Sequence, residues 1–154
     1  MHIRKLVISC SRELSLAEIG RIQVIDTTQN TGIIAVVDDD APLREALGSV
    51  MKAAGFLTNT FASAEEFLGS DHWQDTACLI LDMRLPGMSG AELQRRMRDV
   101  NSQVPIIFVT AHGDAALQES VMKAGAAGFL NKPVRSDRLL REIHAALGKS
   151  RTDI

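Results

Sequence analysis

The chain has 154 residues, 45% hydrophobic and 23% charged, with a formal net charge of −2. That length and balance suit one globular domain with room for a sizeable core, and the slight acidity excludes the broad basic field that would hold nucleic acid or an anionic leaflet. Cys10 and Cys78 stand far apart without CxxC spacing, which fits reduced thiols in a cytosol rather than a disulfide framework. The opening "MHIRKLVISCSRELSLAEIG" has too short an apolar run for a signal peptide, and no stretch reaches the length of a membrane span. A cytoplasmic protein with no membrane contact is expected.

Residues 1–31 read as an N-terminal extension with two readings open. The first is the translated spacer of an upstream start codon; the alternative is a helix, since Ser15 and Glu18 make a capping box and Leu16, Ile19 and Ile22 with Gln23 give a partial stripe. From Gly32, short apolar runs alternate with helical patterns, the signature of βα units. "IIAVVDDD" is the first strand. Asp40 reads as the N-cap of a helix with Pro42 in its first turn and Leu43, Ala46, Leu47, Val50, Met51 and Ala54 at helical spacing, stopped by Gly55. "FLTNTF" is a more polar strand, suited to an edge, and "SAEEFL" opens a helix with a capping box of Ser63 and Glu66. "ACLILD" is the third strand, and Leu93 and Met97 mark the buried stripe of the helix after it. "VPIIFVT", Val104 to Thr110, is the fourth strand, followed by a helix that Gly125 ends. "GFLNKP" is the fifth. Ser136 caps a last helix whose Leu139, Leu140, Ile143 and Leu147 form one face, which leaves 149–154 as a short polar tail and 32–148 as the domain. On this reading nothing remains for an output domain, and residues 1–31 are expected to be dispensable for folding.

Near-continuous apolar strands with helices between them predict a doubly wound α/β fold, a five-stranded parallel sheet with helices on both faces. Ligands of such sheets bind outside the carboxyl ends of the strands. The residues at those ends are Asp38, Asp39 and Asp40, then Asp82, Thr110 and Lys132. Clustered carboxylates repel one another unless a cation sits among them, and oxygen-only donors select a hard ion such as Mg²⁺. A carboxylate beside such an ion, with a hydroxyl and an ammonium to bind phosphate, can accept a phosphoryl group by positioning and charge neutralisation. Each fragment alone has a plain structural reading: Asp40 is the helix cap, and a lone Asp, Thr or Lys at a strand end is an ordinary loop residue. The conjunction at several strand ends points to a site.

"VVDDD", "LILDMRLPGMSG", "IIFVTAHGD" and "MKAGAAGFLNKPV" together resemble the response-regulator receiver family of two-component signalling, in its nitrogen-fixation-type branch, over roughly Gly32 to Gly148. The resemblance implies a flavodoxin-like strand order 2-1-3-4-5, which the spacing of elements does not itself give. It implies Asp38 and Asp39 as the acidic pair for Mg²⁺, Asp82 as phosphoacceptor and further ligand, and Arg84 as a ligand through its backbone carbonyl. Thr110 and Lys132 would bind the phosphate, and Phe129 would be the aromatic switch residue paired with Thr110. Two residues depart from the pattern: Val134 stands where many members carry phenylalanine, and Gly128 where this branch carries an acid.

The function expected is a phosphoacceptor that is not an enzyme beyond slow self-dephosphorylation. It would take its phosphoryl group from a histidine kinase or phosphotransferase and signal by protein contact, to a downstream target or a second copy, through the last two helices and the fifth strand. Direct DNA binding is not expected, because no helix-turn-helix pattern follows Gly148. Three rivals are weaker. A phosphatase of the haloacid dehalogenase type needs a second Asp two residues after the first, where this chain has Arg84. A phosphate-independent interaction module would not need the full residue set. A flavodoxin would need a Gly-, Ser- and Thr-rich phosphate loop after the first strand.

Overall fold

The structure, a computed structural model, describes residues 32–71, 73–111 and 115–152. The N-terminal extension, with Cys10 and the capping pair Ser15 and Glu18, and residues 112–114 lie outside the described residues. Strands β1 (Ile33–Val37), β2 (Leu57–Phe61), β3 (Thr76–Asp82), β4 (Ile106–Thr110) and β5 (Gly128–Asn131) alternate with helices α1 (Ala41–Ala53), α2 (Ala64–Gly69), α3 (Gly90–Asp99), α4 (Ala115–Lys123) and α5 (Ser136–Thr152). All neighbouring strands pair in parallel, and the five-stranded sheet has the order β2-β1-β3-β4-β5. The expected fold class and strand order are both present.

The apolar runs sort by parity, as side chains on a pleated strand must. Ile34 and Val36 of β1, Cys78 and Ile80 of β3, and Ile107 and Val109 of β4 face one side, where Leu47 and Met51 of α1 and Leu139 and Ile143 of α5 close over them. Ala35, Val37, Leu79, Leu81, Ile106 and Phe108 face the other, against Phe67 of α2, Leu93 and Met97 of α3 and Val121 of α4. Both faces of the three inner strands are thus buried, which is why they read as unbroken apolar runs. Strand β2 lies at the edge, and Leu57 there is exposed. Cys78 is buried among these apolar neighbours, and the loss of water pushes its thiol up to about 12, so it acts as a core residue.

Local signals place most helix starts. The Asp40 carboxylate accepts from the Leu43 N–H, and Ser63 Oγ accepts from the Glu66 N–H at 3.1 Å. The return bond of the Ser63 box differs from expectation: Glu66 accepts from the N–H of Ala62, one residue before the cap. Helix α2 has only six residues, so its cap carries much of its local stability. Ser63→Ala is expected to cost about 1 kcal/mol, read as a lower urea midpoint at unchanged slope; an unchanged midpoint would show the cap to be idle.

Other boundaries fall elsewhere than the sequence suggests. Strand β4 begins at Ile106 rather than Val104, because Pro105 has no N–H to donate and offers only its carbonyl, to Leu79. Phe56 precedes β2 and is buried in the core instead. Lys132 lies one residue past β5. Ser136 is the first helical residue rather than the cap, since Leu139 N donates to the Arg135 carbonyl, which puts Arg135 in the capping place. Helix α5 then continues through "GKSRT" to Thr152, so most of the stretch expected as a tail is helical. Within α1, Ala46 is exposed and Gly48 takes its place on the buried face, beside Thr60 of β2.

Candidate functional site

The strand order brings the singled-out residues together. Strands β1, β3 and β4 are neighbours, so Asp38 and Asp39 after β1, Asp82 ending β3 and Thr110 ending β4 meet at one edge, with Lys132 beyond β5. Ladder bonds continue to these residues and hold them: Asp38 N–H donates to the Phe61 carbonyl at 3.1 Å, Met83 N–H to Val109 at 3.1 Å and Lys132 N–H to Thr110 at 2.7 Å. The site therefore sits on sheet backbone rather than on free loop.

Its centre is a cation between two carboxylates. Lys132 Nζ lies 3.0 Å from Asp38 Oδ2 and 3.1 Å from Asp82 Oδ2. The other oxygens are met by backbone: Asp40 N–H donates to Asp38 Oδ1 at 2.9 Å and Arg84 N–H to Asp82 Oδ1 at 3.1 Å. Asp38, Asp82 and Thr110 are buried, while Asp39 and Arg84 are exposed. Phe129 is half-buried; it pairs in register with Phe108 and packs with the cluster under α2, α3 and α4. Thr110, two residues after Phe108, points to that same face by strand alternation.

Burial, and after it the charge of Asp38, raises the Asp82 carboxyl above the ordinary carboxylate range, against the lowering effects of the Arg84 N–H and Lys132. Burial alone would lower Lys132, but its bonds to Asp38 and Asp82 outweigh that and raise it, so it remains an ammonium. One oxygen from each of Asp38, Asp39 and Asp82 lies within 4.8 Å of the others. Three carboxylates and one ammonium leave two formal negative charges, and the donors are all oxygen, so the set fits a hard divalent cation such as Mg²⁺.

A raised carboxyl pKa means that its ionised form costs folding stability, a penalty complete well above the raised value and gone below the ordinary one. Asp82→Asn is therefore expected to raise the Tm of the metal-free protein at neutral pH. The advantage should shrink as pH falls through the carboxylate range. Added Mg²⁺ should also narrow it, by stabilising the wild type through mass action. A Tm for Asp82→Asn below that of wild type at neutral pH without Mg²⁺ would contradict this account.

Three further residues support these positions and are not among those singled out from the sequence. Arg44 Nη1 donates to the Asp38 carbonyl at 2.7 Å and steadies the end of β1. Glu65 of α2 accepts from the Met88 N–H at 2.7 Å, across the loop that follows Asp82. Gly90 opens α3 so close to β3 that a Cβ there would stand 2.5 Å from the Asp82 carbonyl oxygen. Gly90 was open to inference: "SGAE" carries a cap, Ser89, whose Oγ accepts from the Glu92 N–H, and a glycine as first helical residue often marks close approach of another backbone.

A doubly wound sheet with a carboxylate cluster, a buried threonine and a bridging lysine at its carboxyl edge defines a phosphate-handling α/β protein. The chain belongs to the response regulator receiver domain family, which it matches over residues 34–144. It is similar to the response regulator protein TodT of Pseudomonas putida, 40% identical over 120 residues that cover 78% of this chain and 53% of that protein. It is likewise 40% identical to the transcriptional regulatory protein FixJ of Bradyrhizobium diazoefficiens over 116 residues, 75% of this chain and 57% of that one. The crystal structure of FixJ-N superposes with a TM-score of 0.70 at 34% identity, covering 76% of this chain and 94% of that one. The chain spans about half the length of the curated relatives it matches. Receiver domains are the phosphoacceptors of two-component response regulators: they interact with histidine kinases, bind Mg²⁺ at an aspartate cluster and act in signalling rather than as conventional enzymes. Among the described residues no helix is long and apolar enough to cross a membrane.

Proposed function

We propose that Asp82 is the residue that takes up the phosphoryl group, from a phosphohistidine of a histidine kinase or phosphotransferase. The observation that carries this reading is the Lys132 ammonium bridging Asp38 and Asp82 at the carboxyl edge of the sheet. In the transfer, the P–N bond of the donor imidazole breaks with its electron pair left on nitrogen, and a P–O bond forms to an Asp82 carboxylate oxygen. Asp38, Asp39, Asp82 and the backbone carbonyl of Arg84 would hold Mg²⁺, which supplies neutralisation of phosphoryl charge. Thr110 and Lys132 would donate charge-assisted hydrogen bonds to the phosphoryl oxygens. Hydrolysis by the chain itself would be slow, since Arg84 stands where a haloacid dehalogenase phosphatase carries its general acid. Incubation with acetyl phosphate and Mg²⁺ is expected to raise the intact mass by one phosphoryl group; no gain, or an equal gain in excess chelator, would end the proposal.

The phosphate would be read through Thr110 and Phe129, which share a face of adjacent strands. New phosphoryl oxygens would draw the Thr110 hydroxyl inward, and Phe129 would turn into the space it leaves. Such a shift can be only as large as the difference in phosphate contacts between the two states. The surface so altered is α4, β5 and α5, and it would meet a downstream protein or a second copy, in the cytoplasm. Thr110→Ala is expected to be phosphorylated yet to lose at least about fivefold of the phosphate-induced gain in partner or self affinity. Sedimentation of the fully phosphorylated variant showing the wild-type gain would remove Thr110 from the readout.

A further inference from the structure

The loop from Met83 to Ser89 is anchored at several points. Arg84 N–H donates to Asp82 Oδ1, Gly90 N–H to the Met83 carbonyl, and the side chains of Leu85 and Met88 are buried in the core beneath. Between those anchors Pro86 and Gly87 are exposed. Across them lies Glu65, from the first turn of α2, whose Oε1 accepts from the Met88 N–H at 2.7 Å over 23 positions of sequence. Gly87 has φ +79°, and a Cβ there would meet Glu65 Oε1 at 2.6 Å, so the glycine is what lets the carboxylate lie against the loop. The Met88 N–H holds the Glu65 carboxyl below its ordinary range, and Arg96 of α3 adds to this. The adjacent acid, Glu66, instead turns back to Ala62 and completes the helix start. Of two consecutive glutamates, one serves its own helix and the other reaches a distant backbone beside the phosphoacceptor strand.

We infer that Glu65 is a positioning residue for phosphoryl uptake, fixing the β3–α3 loop and so setting where Arg84 presents its backbone to the carboxylate cluster. The inference rests on the reading of Asp82 as phosphoacceptor and Arg84 as a backbone ligand. An acid that orients a ligand-bearing loop acts as outer-sphere partners of metal ligands do, where removal typically costs 10–100-fold in metal affinity or activity. Glu65 is exposed, so its replacement leaves no cavity in the core.

The test uses the full chain with Glu65→Ala, Glu65→Asp and Glu65→Gln, measuring the Mg²⁺ dissociation constant by calorimetry and then, from the single-turnover gain of intact mass, the maximal rate constant of phosphoryl uptake (kcat) and the half-saturating acetyl phosphate concentration (KM) separately. Glu65→Ala is expected to weaken Mg²⁺ binding about tenfold and to lower kcat. Glu65→Asp keeps the charge but is one methylene too short to reach Met88, and should share the defect. Glu65→Gln keeps an oxygen for the Met88 N–H and should restore both values. A tie that merely stiffens the fold would lower Tm and leave Mg²⁺ affinity and kcat alone. If wild type takes up phosphate while folded Glu65→Ala and Glu65→Asp match it in Mg²⁺ affinity and kcat, this inference is overturned; if wild type takes up none, the Asp82 reading itself has failed.

Discussion

Asp82→Ala is expected to cut Mg²⁺-dependent phosphoryl uptake to below about one hundredth of wild type, because the nucleophile itself is gone. Two other carboxylates stand close by, so the expectation depends on where each sits. Asp38 and Asp39 follow β1, on one side of β3, whereas Thr110 ends β4 on the other side, with Lys132 just past β5. Asp82 alone has acids for a cation on one flank and donors for phosphoryl oxygens on the other. Asp39→Ala should therefore remain phosphorylatable at raised Mg²⁺, and intact mass after acetyl phosphate treatment separates the variants. Uptake by Asp82→Ala at the wild-type level would mean that another side chain is the acceptor.

Gly90→Ala should destabilise the protein by about 2–3 kcal/mol. Helix propensity alone predicts the opposite sign, since alanine in a helix is better than glycine by about 1 kcal/mol. Packing decides against propensity here: a Cβ at this position would stand 2.5 Å from the Asp82 carbonyl oxygen, 3.1 Å from Met83 Cα and 3.2 Å from Phe108 Cε1. Two of these are backbone at the end of the central strand and the third belongs to a fully buried ring, so none yields as a flexible surface side chain would. Relief must come from moving α3 away or shifting the end of β3, which carries Asp82. Phosphoryl uptake should fall along with the urea midpoint. A Gly90→Ala protein as stable as wild type would show that α3 is not held against β3 as described.

The sheet was legible where burial dictates composition. Val36 and Val37, Ile80 and Leu81, and Ile107 to Val109 are covered on both faces and had to be apolar throughout, while the polar "LTNTF" had to be an edge. Strand order was not legible from alternation, since adjacent βα units can be laid down on either side of the first strand; it came only with the family resemblance. The candidate site residues could be singled out because each follows or ends an apolar run and parallel sheets gather such ends. Lys132 and Asp82 meet across 50 positions of sequence, as the fold requires. What escaped were contacts made to backbone atoms, which leave no mark on the residue contacted. Neither Met88 nor Asp38 needs a particular side chain for Glu65 or Arg44 to find its N–H or carbonyl. The place of Ser136 as first helical residue rather than cap follows a similar logic: the decisive bond is from Leu139 to a backbone oxygen of Arg135.

If one carboxylate, Asp82, carries the phosphoryl group, the acyl phosphate can be trapped where it forms. Borohydride reduces an acyl phosphate to the alcohol, turning aspartate into homoserine. The wild-type protein treated with acetyl phosphate and Mg²⁺, reduced, digested and mapped by peptide mass should show homoserine at position 82 and nowhere else, with none in samples held in excess chelator. Homoserine at Asp38 or Asp39, or phosphate lost without any homoserine at position 82, would contradict the account.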